Sequence, residues 1–261
     1  MTTTIDGKRL YEFGRGDTGV IYRIMQTDLE PDDPLSNMVI KYPVDQNENE
    51  LAFFWADKNC NADENYSASP FKEVQFFIKP GKVVIGLQMT YVGDTTYADR
   101  SHNLSVGETV LLYLMLVHCT LRLSGIMLSD TAESNCLCQG KEYDFTICLI
   151  DTHEWTRSMF ESYVVDNFRL ICRKFDLLLK PALLIVRPFM ESDIYCERTF
   201  LDAMLKSCDE LCNQFLRDTD VEDASAHCYY QERIDKLMCA IAKDTSKALM
   251  QLQAFEALDA A

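Results

Sequence analysis

The chain has 261 residues, 48% of them hydrophobic, and carries 25 basic against 41 acidic side chains, a formal net charge of −16. So much apolar material excludes wholesale disorder, and so negative a chain is repelled by the phosphates of nucleic acids, which are therefore not expected partners. No run reaches the eighteen uncharged apolar residues of a membrane span: the nearest, 110–127, carries His118, Arg122 and Ser124 and reads as a buried core helix.

In chain order, residues 8–92 offer short β-type runs separated by turn chemistry. The runs 10–13, 20–24 and 38–42 come first, the last reached through a polar connection containing Pro31, Asp32, Asp33 and Pro34. A helix is expected from about Asp45, with Glu48 and Glu50 early and Leu51, Phe54 and Trp55 at helical spacing. Runs 73–78 and 83–91 flank Pro80-Gly81 and predict a hairpin. Then Ser105-x-x-Glu108 has the form of a capping box in front of the long apolar run. Two short strands, around Leu137 and over 146–150, enclose a Gly140-Lys141 turn, and helices follow over 157–179, 197–216 and 229–258. The apolar run 182–186, bracketed by Pro181 and Pro188, has no assigned element. The fold class is α+β, with a small antiparallel sheet first and a mainly helical part after a boundary near Gly93.

Eleven cysteines, an odd number, argue against a disulfide framework. Several (Cys119, Cys148, Cys172) sit in apolar runs where a thiol packs as a small hydrophobe. The opening Met1-Thr2-Thr3-Thr4 has neither a basic region nor an apolar stretch after it, so no secretory leader is expected and a reducing, cytosolic location is. Cys136-x-Cys138 and Cys208-x-x-x-Cys212 lack a matching second pair, so no zinc site is expected.

Gly14-Arg15-Gly16-Asp17-Thr18-Gly19 fits G-x-G-x-x-G. A dinucleotide fold needs a helix after such glycines, but Val20-Ile21-Tyr22-Arg23-Ile24 is strand material. Strand, glycines, strand is the arrangement that folds over nucleotide phosphates in protein kinases. Further along come Val39-Ile40-Lys41, Met89-Thr90-Tyr91-Val92-Gly93, Asp130 with Asn135 five positions on, and Asp151 at the end of an apolar strand.

In these residues the sequence resembles a divergent protein-kinase-like domain over about residues 8–180. The resemblance implies a two-lobed fold, with residues 1–93 as the small lobe, 94–190 as the core of the large lobe and 191–261 as its helical extension. It implies ATP and Mg2+ as cofactors. Gly14, Gly16 and Gly19 would let backbone amides approach the phosphates; Lys41, paired with Glu50 or Glu48, would contact them. Met89 and Tyr91 would border the adenine and Leu137 would form its floor. Asp130 would act on the substrate hydroxyl, while Asn135 and Asp151 would hold magnesium. The implied activity is γ-phosphoryl transfer to Ser or Thr of a protein substrate.

The departures are Leu128-Ser129-Asp130 in place of H-R-D, Asp151-Thr152-His153 in place of D-F-G, and no A-P-E. Residues 165–170 (Val-Asp-Asn-Phe-Arg-Leu) resemble the start of the helix whose aspartate braces the catalytic loop, and leave almost no room for an activation segment. Short bacterial effector kinases of the OspG and NleH type share that economy, as do RIO-like kinases; the former imply secretion into a host cytosol and an activating host protein. A pseudokinase binding module, and a kinase-fold transferase acting on a small molecule, a lipid or by nucleotidyl transfer, stay open. Residues 167–188 carry Arg169, Arg173, Lys174, Lys180 and Arg187 against Asp176, a basic segment suited either to docking or to balancing nearby acids.

Overall fold

The computed structural model describes residues 3–5, 7–16, 19–43, 72–79, 82–91, 95–128, 132–149, 156–157, 161–174, 180–191, 196–217 and 224–259. The described residues divide into two compact units, one up to Tyr91 and one from Thr95 onward. The expected helix after Asp45, with Glu48 and Glu50, lies outside them, as do Asp130 and Asp151.

The first unit is a curled antiparallel sheet. Its strands are β1 (Thr3–Ile5), β2 (Lys8–Arg15), β3 (Gly19–Ile24), β4 (Met38–Pro43), β5 (Lys72–Lys79) and β6 (Lys82–Thr90). They lie in the order β1-β2-β3-β4-β6-β5, and Thr4 opposite Phe77 closes the curl. Ile5, Leu10, Ile24 and Ile40 form the buried cluster on its inner face, with Tyr22, Leu29, Leu35 and Tyr42 packed on it. β1 is too short to show alternation and has no counterpart in the sequence expectation; pairing with β2 forms it. β2 also runs farther than the expected 10–13, through Gly14 and Arg15, because ladder bonds to Ile21 and Val20 extend it regardless of propensity. The β3–β4 connection winds through two 3-10 turns, Gln26–Asp28 and Pro34–Asn37. Asp33 caps the second by accepting from the Leu35 amide at 2.9 Å, and it pairs with Lys8. Arg9 grips Asp28 through backbone and guanidinium together and holds that carboxyl well below the usual range.

The second unit is built around one helix. After a single turn, α1 (Tyr97–Arg100), comes α2 (Val106–Arg122), whose Leu111, Leu112, Tyr113 and Leu114 are wholly buried. The capping box forms as expected: Ser105 Oγ accepts from the Glu108 amide at 3.2 Å, and Glu108 accepts from the Ser105 amide at 3.0 Å. Around α2 pack α3 (Val164–Lys174), α5 (Glu197–Arg217) and α6 (Ala224–Asp259), and α4 (Lys180–Glu191) lies against α5. Two short antiparallel pairs complete the unit: β7 (Ile126–Met127) with β10 (Thr156–Arg157), and β8 (Cys136–Gln139) with β9 (Thr146–Leu149).

Two expectations are corrected here, and one unassigned run finds its element. Residues 156–157 form β10 where a helix from 157 was expected, because they pair with Met127 and Ile126; the helix begins only at Val164, after Tyr163 at φ 55°. The unassigned run 182–186 lies inside α4, with Pro181 in its first turn, where a missing N–H costs nothing, and Pro188 near its end. The terminal helix starts at Ala224, not 229. None of the described helices is long and apolar enough to cross a membrane.

Candidate functional site

The glycine motif is a hairpin, and its register sets the lysine beside the third glycine. Gly14 lies opposite Ile21 after a register shift past Glu12, Arg15 lies opposite Val20, and the Gly16 amide donates to the Gly19 carbonyl at 2.9 Å. Ile21 in turn lies opposite Lys41 on β4. The consequence is steric. A Cβ on Gly19 would stand 2.9 Å from the Tyr42 carbonyl oxygen and 3.2 Å from Lys41 Cε, so a side chain there would press on the β4 backbone and crowd the lysine stem. At Gly14 and Gly16 a Cβ would meet nothing within 4 Å. A side chain would thus fit at Gly14 and Gly16 but not freely at Gly19, which stands beside Lys41, itself 7% exposed. A backbone-lined turn beside a lysine is chemistry suited to phosphate.

Met89 lies on β6 opposite Val39, and Leu87 opposite Lys41. The Tyr91 amide donates to the Asn37 carbonyl at 2.9 Å, which continues that ladder by one bond. The Tyr91 ring meets Phe13 edge-on at 5.8 Å and lies under the Arg23 guanidinium at 4.0 Å. Arg23 also donates to the Ser36 carbonyl at 3.1 Å, tying the end of β6 to the β3–β4 connection.

In the second unit, the segment ahead of residue 130 is fixed from behind by one side chain. Asn167, 1% exposed, accepts from the Leu128 amide at 2.8 Å and donates to the Ile126 carbonyl at 2.7 Å. Gly125, at φ 84°, donates to the Ser162 carbonyl at 2.8 Å on the same stretch. Asp166 is 49% exposed and lies 3.6 Å from Arg169, while its neighbour Asn167 makes both bonds; the loop that the expected aspartate would brace, 129–131, lies outside the described residues. An amide suits the task better than a carboxylate, because one of the two backbone partners is an acceptor. Sequence reading missed Asn167 although the residue stood within the noted stretch; its helix phase, one position inward of Asp166, was the available signal.

On the far side of residue 130, the Asn135 amide donates to the Ala132 carbonyl at 2.7 Å in a 3-10 turn that runs directly into β8. Leu137 bridges to Thr96, and the Cys138 amide donates to the Thr95 carbonyl at 2.8 Å. Asp99 accepts from the Thr96 amide and hydroxyl, which lowers its own carboxyl. Asn135 and Leu137 therefore share one small hairpin, as Lys41 and Gly19 share one ladder. Cys136 and Cys138 follow on the buried face; their mutual hydrogen bond raises the first thiol and lowers the second. Among the described residues, no cluster of three or more His, Cys, Asp or Glu can hold a metal ion. Of the basic segment, Arg169 is turned to the Phe189 carbonyl, and Arg173 and Arg187 are exposed.

No known protein family matches this chain, and no curated protein does.

Proposed function

We propose that the protein is an ATP- and Mg2+-dependent phosphotransferase with a protein-kinase-like fold, directed at Ser or Thr of a protein substrate. The observation that carries this reading is the seating of Lys41 against Gly19 in a strand–glycines–strand hairpin. Phosphoryl transfer is chiefly positioning and neutralisation of phosphate charge, and open glycine backbone beside a lysine serves both. In this reading Gly14, Gly16 and Lys41 bind the phosphates, and Met89, Tyr91 and Leu137 border the base. Glu50 steadies Lys41, Asp130 receives the substrate proton, and Asn135 and Asp151 carry magnesium. Two supports come from the second unit. Asn167 braces the segment before residue 130, and the order of elements from α2 through β7, β8 and β9 to α3 is the order that the kinase resemblance requires.

The early return of the chain at Thr156–Arg157, with α3 starting at Val164, leaves little chain for a peptide-docking segment. That shortness favours the effector-kinase resemblance, with a host protein as substrate and a host activator. The same shortness supports a second reading, a transferase for a smaller acceptor. Incubation of the full chain with γ-labelled and, separately, α-labelled ATP plus Mg2+ distinguishes these. The expected result is γ-label on a protein Ser or Thr, abolished by Asp130→Ala and by Asp151→Ala with the fold retained. Transfer of α-label marks nucleotidyl transfer, γ-label on a small molecule marks the second reading, and nucleotide-induced thermal stabilisation with no transfer marks a pseudokinase.

A further inference from the structure

We infer that Arg23 is a specificity-determining residue of the sheet unit, reading the edge of a nucleotide base so that GTP is bound more tightly than ATP; the inference rests on the nucleotide-binding function proposed above. Strand alternation puts Arg23 on the outer face of the sheet. Ile24 belongs to the inner cluster and Tyr22 packs on it, so Ile21 and Arg23, which alternate with them along β3, face the other way. On β4, Ile40 and Tyr42 are inward by the same criterion, which leaves Val39 and Lys41 outward. On β2, Leu10 is inward, and Tyr11, directly opposite Arg23, is outward. The Phe13 ring joins Tyr11 on that face at 6.4 Å, edge-on. Lys41, opposite Ile21, and Arg23 thus share one face, two residues or about 7 Å apart along the strand direction. That is close to the span of the sugar that joins a base to its phosphates.

The guanidinium is held by rings and is little used by the protein itself. It lies 4.0 Å from the centre of the Tyr91 ring and 5.3 Å from that of Phe13. Those two rings meet edge-on at 5.8 Å, and Phe13 and Tyr11 are each 36% exposed, so the aromatic frame is open to a ligand. A guanidinium carries five N–H donors. Arg23 gives one nitrogen, Nη2, to the Ser36 carbonyl at 3.1 Å, and among the described residues it has no other hydrogen bond and no carboxylate partner. The arginines on neighbouring β2 differ: Arg9 is paired with Asp28 and Arg15 with Glu12. In a chain of net charge −16, a half-buried arginine set between rings and left without an acid has most of its donor fork to offer elsewhere.

A planar, donor-only group selects a ligand by its acceptors. Guanine presents two acceptors side by side, O6 and N7, which match the fork; adenine presents N7 beside an amino donor, which a guanidinium cannot accept. The exposed rings add stacking surface for either base, and stacking discriminates little because every base has a π-face. A bare carboxylate would also satisfy the fork, but it has no flat apolar face to cover Phe13 and Tyr11. A ligand with an acceptor edge, a flat ring and phosphates engages Arg23, the aromatic frame and Lys41 together, and a guanine nucleotide has all three. Pairing of β3 with β2 and the bond to Ser36 fix the arginine before any ligand arrives, so little side-chain entropy is lost on binding. GTP is therefore a phosphate donor for this chain alongside ATP, and the better bound of the two.

The test measures calorimetric binding of ATP, GTP, inosine triphosphate, 7-deaza-GTP and tripolyphosphate to the full chain and to its Arg23→Ala and Arg23→Gln variants. The wild-type chain is expected to bind GTP and inosine triphosphate, which both carry O6 and N7, about tenfold more tightly than ATP, near the low end for one bidentate arginine contact. 7-deaza-GTP, which lacks the N7 acceptor, should fall toward ATP. Arg23→Ala should bring GTP down to the level of ATP and leave tripolyphosphate binding unchanged. Arg23→Gln should turn the preference toward ATP, because an amide matches adenine's donor and acceptor. A residue that only ties Ser36 in place would weaken every nucleotide alike. Equal weakening, a wild-type chain that prefers ATP, or 7-deaza-GTP bound as tightly as GTP overturns the inference alone. A wild-type chain that binds no nucleotide overturns the proposed function and this inference with it. Should Arg23→Ala not fold, the ranking of GTP, 7-deaza-GTP and ATP on the wild-type chain decides with the same outcomes.

Discussion

The sheet unit and the helical unit place their polar groups by different means. In the sheet unit the backbone ladder does the placing: Lys41 stands beside Gly19 because Ile21 pairs with Lys41 and Gly19 with Pro43. Among the described residues its apolar cluster centres on Ile5, Leu10, Ile24 and Ile40, and ion pairs such as Arg15 with Glu12 lie at the surface where they contribute little. In the helical unit, buried side chains do the placing. Glu108, His118, Asn167 and Ser207 are each nearly or wholly buried, and each hydrogen-bonds to another element or back onto its own helix. A ladder tolerates side-chain change except where a Cβ has no room. A buried hydrogen-bonded side chain tolerates almost none.

The contrast gives predictions, the largest first. Lys41→Met should reduce ATP-dependent phosphoryl transfer by about 100-fold or more while leaving the melting temperature equal or raised. Replacement of a buried cation by an apolar chain of similar size rarely costs stability. A lowered melting temperature with intact activity would assign Lys41 to the fold instead. Next, Leu114→Ala at the centre of α2 should cost about 3–5 kcal/mol in denaturant unfolding, because a wholly buried leucine leaves a cavity that its neighbours cannot collapse. Leu10→Ala, in the sheet cluster, should cost nearer 2 kcal/mol, the low end of the range. Equal costs would erase the distinction between the units.

Asn167→Ala should cost about 2–4 kcal/mol, since it strands a buried amide and a buried carbonyl together. Asp166→Ala, one residue away and half exposed, should stay within about 0.5 kcal/mol. Among the glycines, Gly19→Ala should weaken nucleotide binding through a shift of the β4 backbone at Tyr42 beside Lys41, with about 1–3 kcal/mol of overpacking in the fold. Gly16→Ala, which meets open space, should leave the fold within about 0.5 kcal/mol. Calorimetric titration with ATP and thermal melts on the two variants check the pair; similar behaviour would remove the steric account of Gly19.

The smallest effect is a pH dependence at the start of α5. Burial, and next the Asp166 carboxylate, push the Glu197 carboxyl up to about 7. An acid whose folded pKa lies above its unfolded value, about 4.3, favours folding fully below the unfolded value. That contribution is lost as pH rises toward 7. Glu197→Gln should therefore melt a few degrees higher than wild type at pH 8 and at the same temperature at pH 4. A difference that persists at pH 4 would point to packing and not ionisation.

Much of this was legible in the chain. The capping box at Ser105 and Glu108 has a local signature, and the apolar run after it has no polar face to present to water, so a surrounded helix follows. The hairpin about Gly140 and the strands on either side of Gly14–Gly19 were legible for the same reason, since turn residues and β-branched runs act locally. β10, β1 and the late start of α3 were not, because strands of two or three residues exist only through their partners. Asn167 was hidden behind a more conspicuous acid, and only the tertiary fold tells which of two adjacent polar residues turns inward.

Composition, periodicity and motif spacing by themselves determined the α+β class, the sheet-first order and the surrounded central helix. Those properties rest on local backbone preference and hydrophobic pattern, which a linear string carries. The tertiary structure decided that a side chain at Gly19 would press on the Tyr42 carbonyl beside Lys41, that an asparagine holds residues 126–128, and that a helix more than eighty residues downstream grips the turn at Tyr143. Each depends on atoms brought within hydrogen-bonding or van der Waals distance across long stretches of chain, and no local pattern encodes such distances.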